Sequence, residues 1–189
     1  MSELRAQDPR RLDVRAVIEQ AHALTGRCAL DELPRLLEAL APADPAQPAD
    51  PTDRPVAWAV QGEWRAVTGG APQHWLRLQV DGDLSLVCQR CLGPVREHLA
   101  LDRWLRFVES EAQAAELDAE LDDDVLALPR WLDLVELIED ELLLALPLVP
   151  RHAVCPAPLP VPGPDEAALD EKQPHPFAAL AALKRPGGG

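Results

Sequence analysis

The sequence predicts an α+β fold: an antiparallel sheet of at least four strands, packed with one long helix in the C-terminal half and short helices near the N-terminus. Proline-rich linkers and a proline-rich tail complete the expected chain. Three observations predict this. Apolar residues alternate with polar ones through much of Val56–Phe107, the two-residue period of a half-buried strand. WLDLVELIEDELLLAL (131–146) is dense in leucine and ends at Pro147, as a buried helix would. The 20 prolines gather mainly in two stretches, which places extended segments between and beyond the folded parts.

Val14, Val17, Ile18, Ala21 and Leu24 fall at helical spacing, so a first amphipathic helix is expected from about Asp13, ended by Gly26. Asp31 offers a cap for a second short helix carrying Leu33, Leu36, Leu37 and Leu40. Residues 1–40 are thus an N-terminal helical segment packing on the body, and 41–55 a proline-rich linker. In the body, residues 56–155, Val56, Trp58 and Val60 mark one strand and Leu76, Leu78 and Val80 another. Asp81-Gly82 carries the signal of a hairpin turn, with Leu84, Leu86 and Cys88 on its far side. A further strand shows Leu99, Leu101, Leu105 and Phe107 on one face, with Arg96, His98, Asp102, Trp104 and Arg106 on the other. Residues 109–124 are acidic and poor in branched apolar side chains, the pattern of a solvated connection. In the helix 131–146, Asp133, Glu136 and Asp140 share a narrow stripe opposite the broad apolar side, so burial nearly all round is expected apart from a carboxylate ridge. A flexible linker (156–175) and a short terminal docking helix (176–185), with Phe177 and Leu180 on one face, close the chain.

Net charge is −14, unevenly spread. Residues 54–106 hold 7 basic and 5 acidic groups, and residues 107–146 hold 1 and 13. Unspecific nucleic-acid binding rests on neutralising phosphates, so a chain this acidic is expected to be repelled by RNA as a whole. No apolar run reaches the ~20 residues of a membrane span. The basic N-terminal residues lack the apolar core of a secretory signal behind them, so a cytoplasmic protein with reduced cysteines is expected. Phosphate-loop, dinucleotide and nucleophile-elbow patterns are absent from the sequence, and no small-molecule substrate is evident.

The most specific constellation is Cys88-Gln-Arg-Cys91-Leu-Gly93, a C-x-x-C-x-G knuckle that aims two thiolates at one point. His152 and Cys155, spaced H-x-x-C, can supply a second pair and close a Cys3His tetrahedron of the kind structural zinc uses. Inert half-buried thiols, a redox pair and adventitious zinc binding compete with that reading, and the long gap between the two pairs counts against it. Cys28 has no partner in sequence and is expected in the core.

The Asp133–Glu136–Asp140 ridge, with Glu141 beside it, suits a docking groove for a basic partner; a solvated helix face is the plainer alternative. Catalysis by these carboxylates would need a pocket and a positioned substrate that the sequence does not promise. Arg65, Arg77, Arg90, Arg96, Arg103 and Arg106, with Trp75 and Trp104, can form a small RNA-facing patch on the sheet, with Arg96, Trp104 and Arg106 the candidate contacts, set against an ordinary mixed-charge surface with its tryptophans in the core. Phe177 and Leu180 can fold back on the body or fill a partner's groove.

CQRCLGPV, followed by DLVELIEDELLLALPLVPRHAVC and the terminal PFAALAALK, resembles the bacterial YceD family of large ribosomal RNA subunit accumulation proteins, which has plant plastid relatives. The similarity spans about Trp58 to Lys184. Its motif positions are held here by Asp133, Glu136, Glu139, Asp140, Glu141, Pro147, Pro150, His152 and Cys155. The resemblance implies a non-enzymatic role in synthesis, processing or stability of the 23S RNA. Charge adds that a ribosomal protein or large-subunit assembly factor is the expected partner, with direct RNA contact open. A metal-dependent RNA-processing enzyme using Asp133, Glu136 and Asp140, or a zinc-stapled adaptor unrelated to ribosomes, are the alternatives.

Overall fold

The computed structural model describes residues 8–42, 55–121 and 124–156. The chain divides into two units, Met1–Cys155 and Pro156–Gly189, and the fold is that of the first. Most of the 41–55 linker, the 157–175 part of the tail linker and residues 176–185, where a terminal helix with Phe177 and Leu180 is expected, lie outside the described residues.

Helix α1, Val14–Glu19, starts where expected: the Asp13 carboxylate accepts the Ala16 amide at 3.0 Å, and Val14, Val17 and Ile18 are buried. It ends sooner than the spacing implied. Ala21 takes a positive φ of 50° and turns the chain into strand β1, Ala23–Cys28. Gly26 therefore terminates no helix. It sits opposite Trp58 in β2 (Val56–Arg65), and a Cβ there would stand 2.4 Å from the indole. Cys28 is buried in the core, as expected. Helix α2, Pro34–Ala39, is not capped by Asp31; its leading amides are met by Glu139 from across the core.

Strands β3, Gln73–Val87, and β4, Pro94–Val108, complete the central sheet, and β5, Asp124–Ala127, adds an edge. The order is β1-β2-β3-β4-β5, antiparallel throughout except for the parallel β4–β5 pair. Asp81-Gly82 does not turn. Asp81 pairs with Ala57 on one side and Ala100 on the other, and Gly82 pairs with Leu99. Val80, Gly82 and Leu84 continue one buried row, with Gly82 close against Val56. A turn at this dipeptide would break two ladders at once, and the β3 pairing on both sides outweighs the local preference.

Helices α1 and α4 pack on one face of the sheet, where Val60, Leu76, Leu78, Val80, Leu84, Leu99, Leu105 and Phe107 form the core. Residues 109–124 are more than a connection: Ser110 caps a third helix, α3, Glu111–Asp118, which buries Ala114 with Val108 and Val125 in a small cluster of its own. Helix α4, Leu134–Ala145, buries Leu134, Val135, Ile138 and Leu142. Burial is not all round: Leu144 is 79% exposed. Paired backbone hydrogen bonds of 2.9 Å between Leu12 and Leu132 tie the N-terminal segment to the start of α4. Among the described residues, no helix is long and apolar enough to cross a membrane.

Candidate metal centre

β3 ends at Val87 and β4 begins at Pro94, so the C-x-x-C knuckle is itself the hairpin turn between the two longest strands. The Cys88 amide donates to the Gly93 carbonyl, and the Leu92 amide to the Cys88 carbonyl, both at 2.9 Å. Closing the turn this tightly puts Leu92 in the left-handed region, at φ 60°. Pro147 stops α4, and the chain beyond returns to the knuckle, where the Pro150 carbonyl accepts the Gln89 amide at 2.9 Å. His152 and Cys155 are thereby delivered beside the hairpin.

The four candidate ligands meet. One donor atom from each of Cys88, Cys91, His152 and Cys155 lies within 4.8 Å of all the others. Cys88 Sγ is 4.0 Å from Cys155 Sγ, and Cys91 Sγ is 3.5 Å from His152 Nδ1. Burial alone would raise the Cys88 thiol. The amides of Cys91, Arg90 and His152, with the His152 side chain, outweigh it and hold the thiol at about 5. Cys155 moves the other way, pushed up by burial and by the neighbouring Cys91 and Cys88 sulfurs. A buried thiol favouring its anion, facing two more sulfurs and an imidazole, is an arrangement that can hold a metal ion.

The carboxylate ridge is present along α4, but most of its charges already have partners inside the fold. Asp133 is the N-cap, accepting the Val135 and Glu136 amides at 3.0 Å, with Arg10 3.6 Å away. Asp140 pairs with Arg35 at 2.7 Å. Glu141 lies 3.4 Å from Arg103 and is nearly buried; burial raises its carboxyl and Arg103 offsets part of that. Glu136 is exposed and has no ion pair among the described residues. Glu139, which sequence reasoning named as a motif position but gave no role, is 4% exposed and caps α2. The signal was there: Glu139 continues the Val135, Ile138, Leu142 stripe at helical spacing, a carboxylate where an apolar residue belongs.

The three candidate RNA contacts do not form one patch. Trp104 and Arg106 lie at one end of β4, paired in register with Arg77 and Trp75, whereas Arg96 pairs with Ser85 toward the knuckle. Trp104 meets Trp75 edge to face at 6.4 Å, with the Arg65 guanidinium 4.3 and 4.4 Å from the two rings. That arginine is paired with Glu63, and Arg77 with Asp102, so the cluster is largely self-satisfied. Trp75 is 5% exposed and offers no open ring face.

A family model described as large ribosomal RNA subunit accumulation protein YceD matches residues 76–184, from within β3 through the knuckle, α4, His152 and Cys155 and beyond. The large ribosomal RNA subunit accumulation protein YceD of Haemophilus influenzae is 37% identical over 115 residues, which cover 58% of this chain. The matched stretch spans 63% of that relative's length. No solved structure matches the chain.

Proposed function

This chain belongs to the YceD family, and from that premise we propose that it is a non-catalytic accessory factor supporting the accumulation of large-subunit ribosomal RNA by binding a basic ribosomal protein or assembly factor. The family match carries the proposal. Binding rather than catalysis is supported by the ridge, whose Asp133, Asp140 and Glu141 are spent on a helix cap and on ion pairs with Arg10, Arg35 and Arg103. A basic partner is supported by the 13 acidic groups against one basic in residues 107–146. The test is the ratio of large- to small-subunit ribosomal RNA in host cells with and without the gene. A selective fall in the large-subunit RNA, rescued by the intact gene, is expected; an unchanged ratio overturns the reading. Capture of protein-free ribosomal RNA at physiological salt would overturn the protein-partner half alone.

The Cys3His group is assigned here to structural zinc. Bond lengths of about 2.3 Å to sulfur and 2.0–2.1 Å to nitrogen give tetrahedral edges of about 3.8 Å between sulfurs and 3.6 Å from sulfur to nitrogen. The 4.0 and 3.5 Å separations fit those edges. Bound there, the ion would fasten the segment after α4 to the β3–β4 turn. That fastening matters because the apolar cluster beneath is small: Leu86, Cys88 and Val95, with Leu40, Leu146 and the other two thiols against it.

A further inference from the structure

Three of the four most exposed large apolar side chains among the described residues gather at the end of the molecule that carries the cysteines. Leu92 is 67% exposed, Leu148 99% and Val154 85%, with Leu144 and Val149 also open to solvent. These are not scattered. Leu92 lies between Cys91 and Gly93, Val154 precedes Cys155, and Leu148 and Val149 precede the Pro150 carbonyl that holds the Gln89 amide. Leu92 also pays a backbone cost for its place, since a leucine at φ 60° is disfavoured where glycine or asparagine is not. A strained position that presents a large apolar side chain to water marks a surface built for contact.

Charge separates this end from the rest as well. Residues 84–96 and 142–156 contain no Asp or Glu, in a chain with 32 of them. Arg90, Arg96 and Arg151 are exposed and have no ion pair among the described residues. A zinc ion with three thiolates and a neutral imidazole would carry one negative charge and leave this end net positive. Aliphatic side chains rimmed by free arginines suit a protein surface better than RNA, because leucine and valine have no face for a base to stack on. A second copy docked face to face would oppose arginine to arginine.

We propose that the cysteine-bearing end, through Leu92, Leu148 and Val154 with Arg90 and Arg151, docks a protein segment that presents apolar side chains beside carboxylates. This surface is separate from the acidic side and does not depend on the ribosomal RNA reading. The test uses the zinc-loaded full chain, isotope-labelled, titrated with a designed helical peptide bearing leucines on one face and glutamates on the other. Saturable shifts confined to residues 88–93 and 146–155 are expected, even though the protein's own −14 charge repels such a peptide. The double variant Arg90→Glu/Arg151→Glu, and separately Leu148→Asp, should each weaken binding roughly tenfold at unchanged zinc content. Absence of binding at this end, or binding indifferent to both variants, overturns the proposal. So does tighter occupation of the same amides by an oligouridine, or a dimer of the free protein that Leu148→Asp dissociates.

Discussion

The Glu139 carboxylate accepts the Arg35 backbone amide at 2.7 Å and that residue's guanidinium Nε at 2.9 Å, so one buried anion in α4 fixes both the backbone and the side chain at the start of α2. The same Oε1 also takes the Leu36 amide at 3.1 Å. Helix α2 is six residues long, opens with proline, and has no side-chain cap of its own. Its leading amides, which have no partner within the helix, are satisfied from more than a hundred residues away in sequence, which ties the N-terminal segment to the helix that precedes the cysteine loop.

Removing that anion should unfasten α2. Glu139→Ala leaves buried amides unpaired and is expected to cost about 2–3 kcal/mol, a fall of roughly 4–12 °C in Tm. Glu139→Gln keeps an acceptor and should cost less. Burial works to raise the Glu139 carboxyl, but the Leu36 amide and the Arg35 guanidinium and amide prevail and hold it below its ordinary value. Its contribution is therefore complete above an unfolded-state pKa of about 4.3 and is lost as pH falls through the lower folded-state value. Melts of wild type and Glu139→Gln should converge on acidification; parallel curves from pH 6 to 3 would refute this role.

The metal centre makes a compositional prediction. The purified chain should carry one zinc, and Cys88→Ser or Cys155→Ser should abolish stoichiometric binding, as read by elemental analysis. Chelation should loosen residues 147–155 while the sheet persists, because the core of β2–β4 does not depend on the ion. Hydrogen exchange separates the two regions. Protons compete with the metal for its thiolate ligands, and burial with the neighbouring Cys91 and Cys88 sulfurs pushes the Cys155 thiol toward its protonated form, so zinc should be released as pH falls. Release that is independent of pH would argue against thiolate ligation.

Gly62 is the most confined glycine of the sheet. A Cβ there would stand 2.3 Å from the Val17 carbonyl oxygen and 2.6 Å from the Ile18 Cα, and backbone atoms of α1 cannot swing aside as a side chain can. Its amide also donates to the His22 carbonyl at 3.0 Å. Gly62→Ala should cost about 3 kcal/mol or more by forcing α1 off the sheet. Gly70→Ala, where the nearest side-chain atom is 3.4 Å away, is the control expected to be nearly silent. Equal melting of the two variants would show that α1 accommodates the methyl freely.

How far this was legible depended on whether the deciding interactions were local. The alternation of β2–β4 and the apolar run of α4 are local patterns, and both elements appear where the residues predict them. The joining of Cys91 to His152 across 61 residues was legible as donor chemistry only, because spacing carries no information about which loops meet. Asp81-Gly82 misled because its turn preference is local while its pairing partners, Ala57, Ala100 and Leu99, come from two other strands. Leu24 fits a helical face and a strand equally well, and the positive φ at Ala21 decided between them. The parallel edge β5 is too short to show a period.

Leu92 offers a variant whose effects on stability and on binding should have opposite signs. Its φ of 60° is natural to glycine, and its side chain is 67% exposed, so Leu92→Gly relieves backbone strain and gives up little burial. The net gain should be about 0.5–1 kcal/mol, a rise of roughly 1–4 °C in Tm. Zinc content should not change, since the ligands and the hydrogen bonds that close the turn remain. Affinity for the leucine–glutamate helix should nevertheless fall, because the substitution removes an exposed apolar side chain of the docking end. Thermal melts and the same titration decide the matter together. A variant that is both more stable and fully competent would mean that leucine at this position serves no contact, and the strain there would have no functional reason.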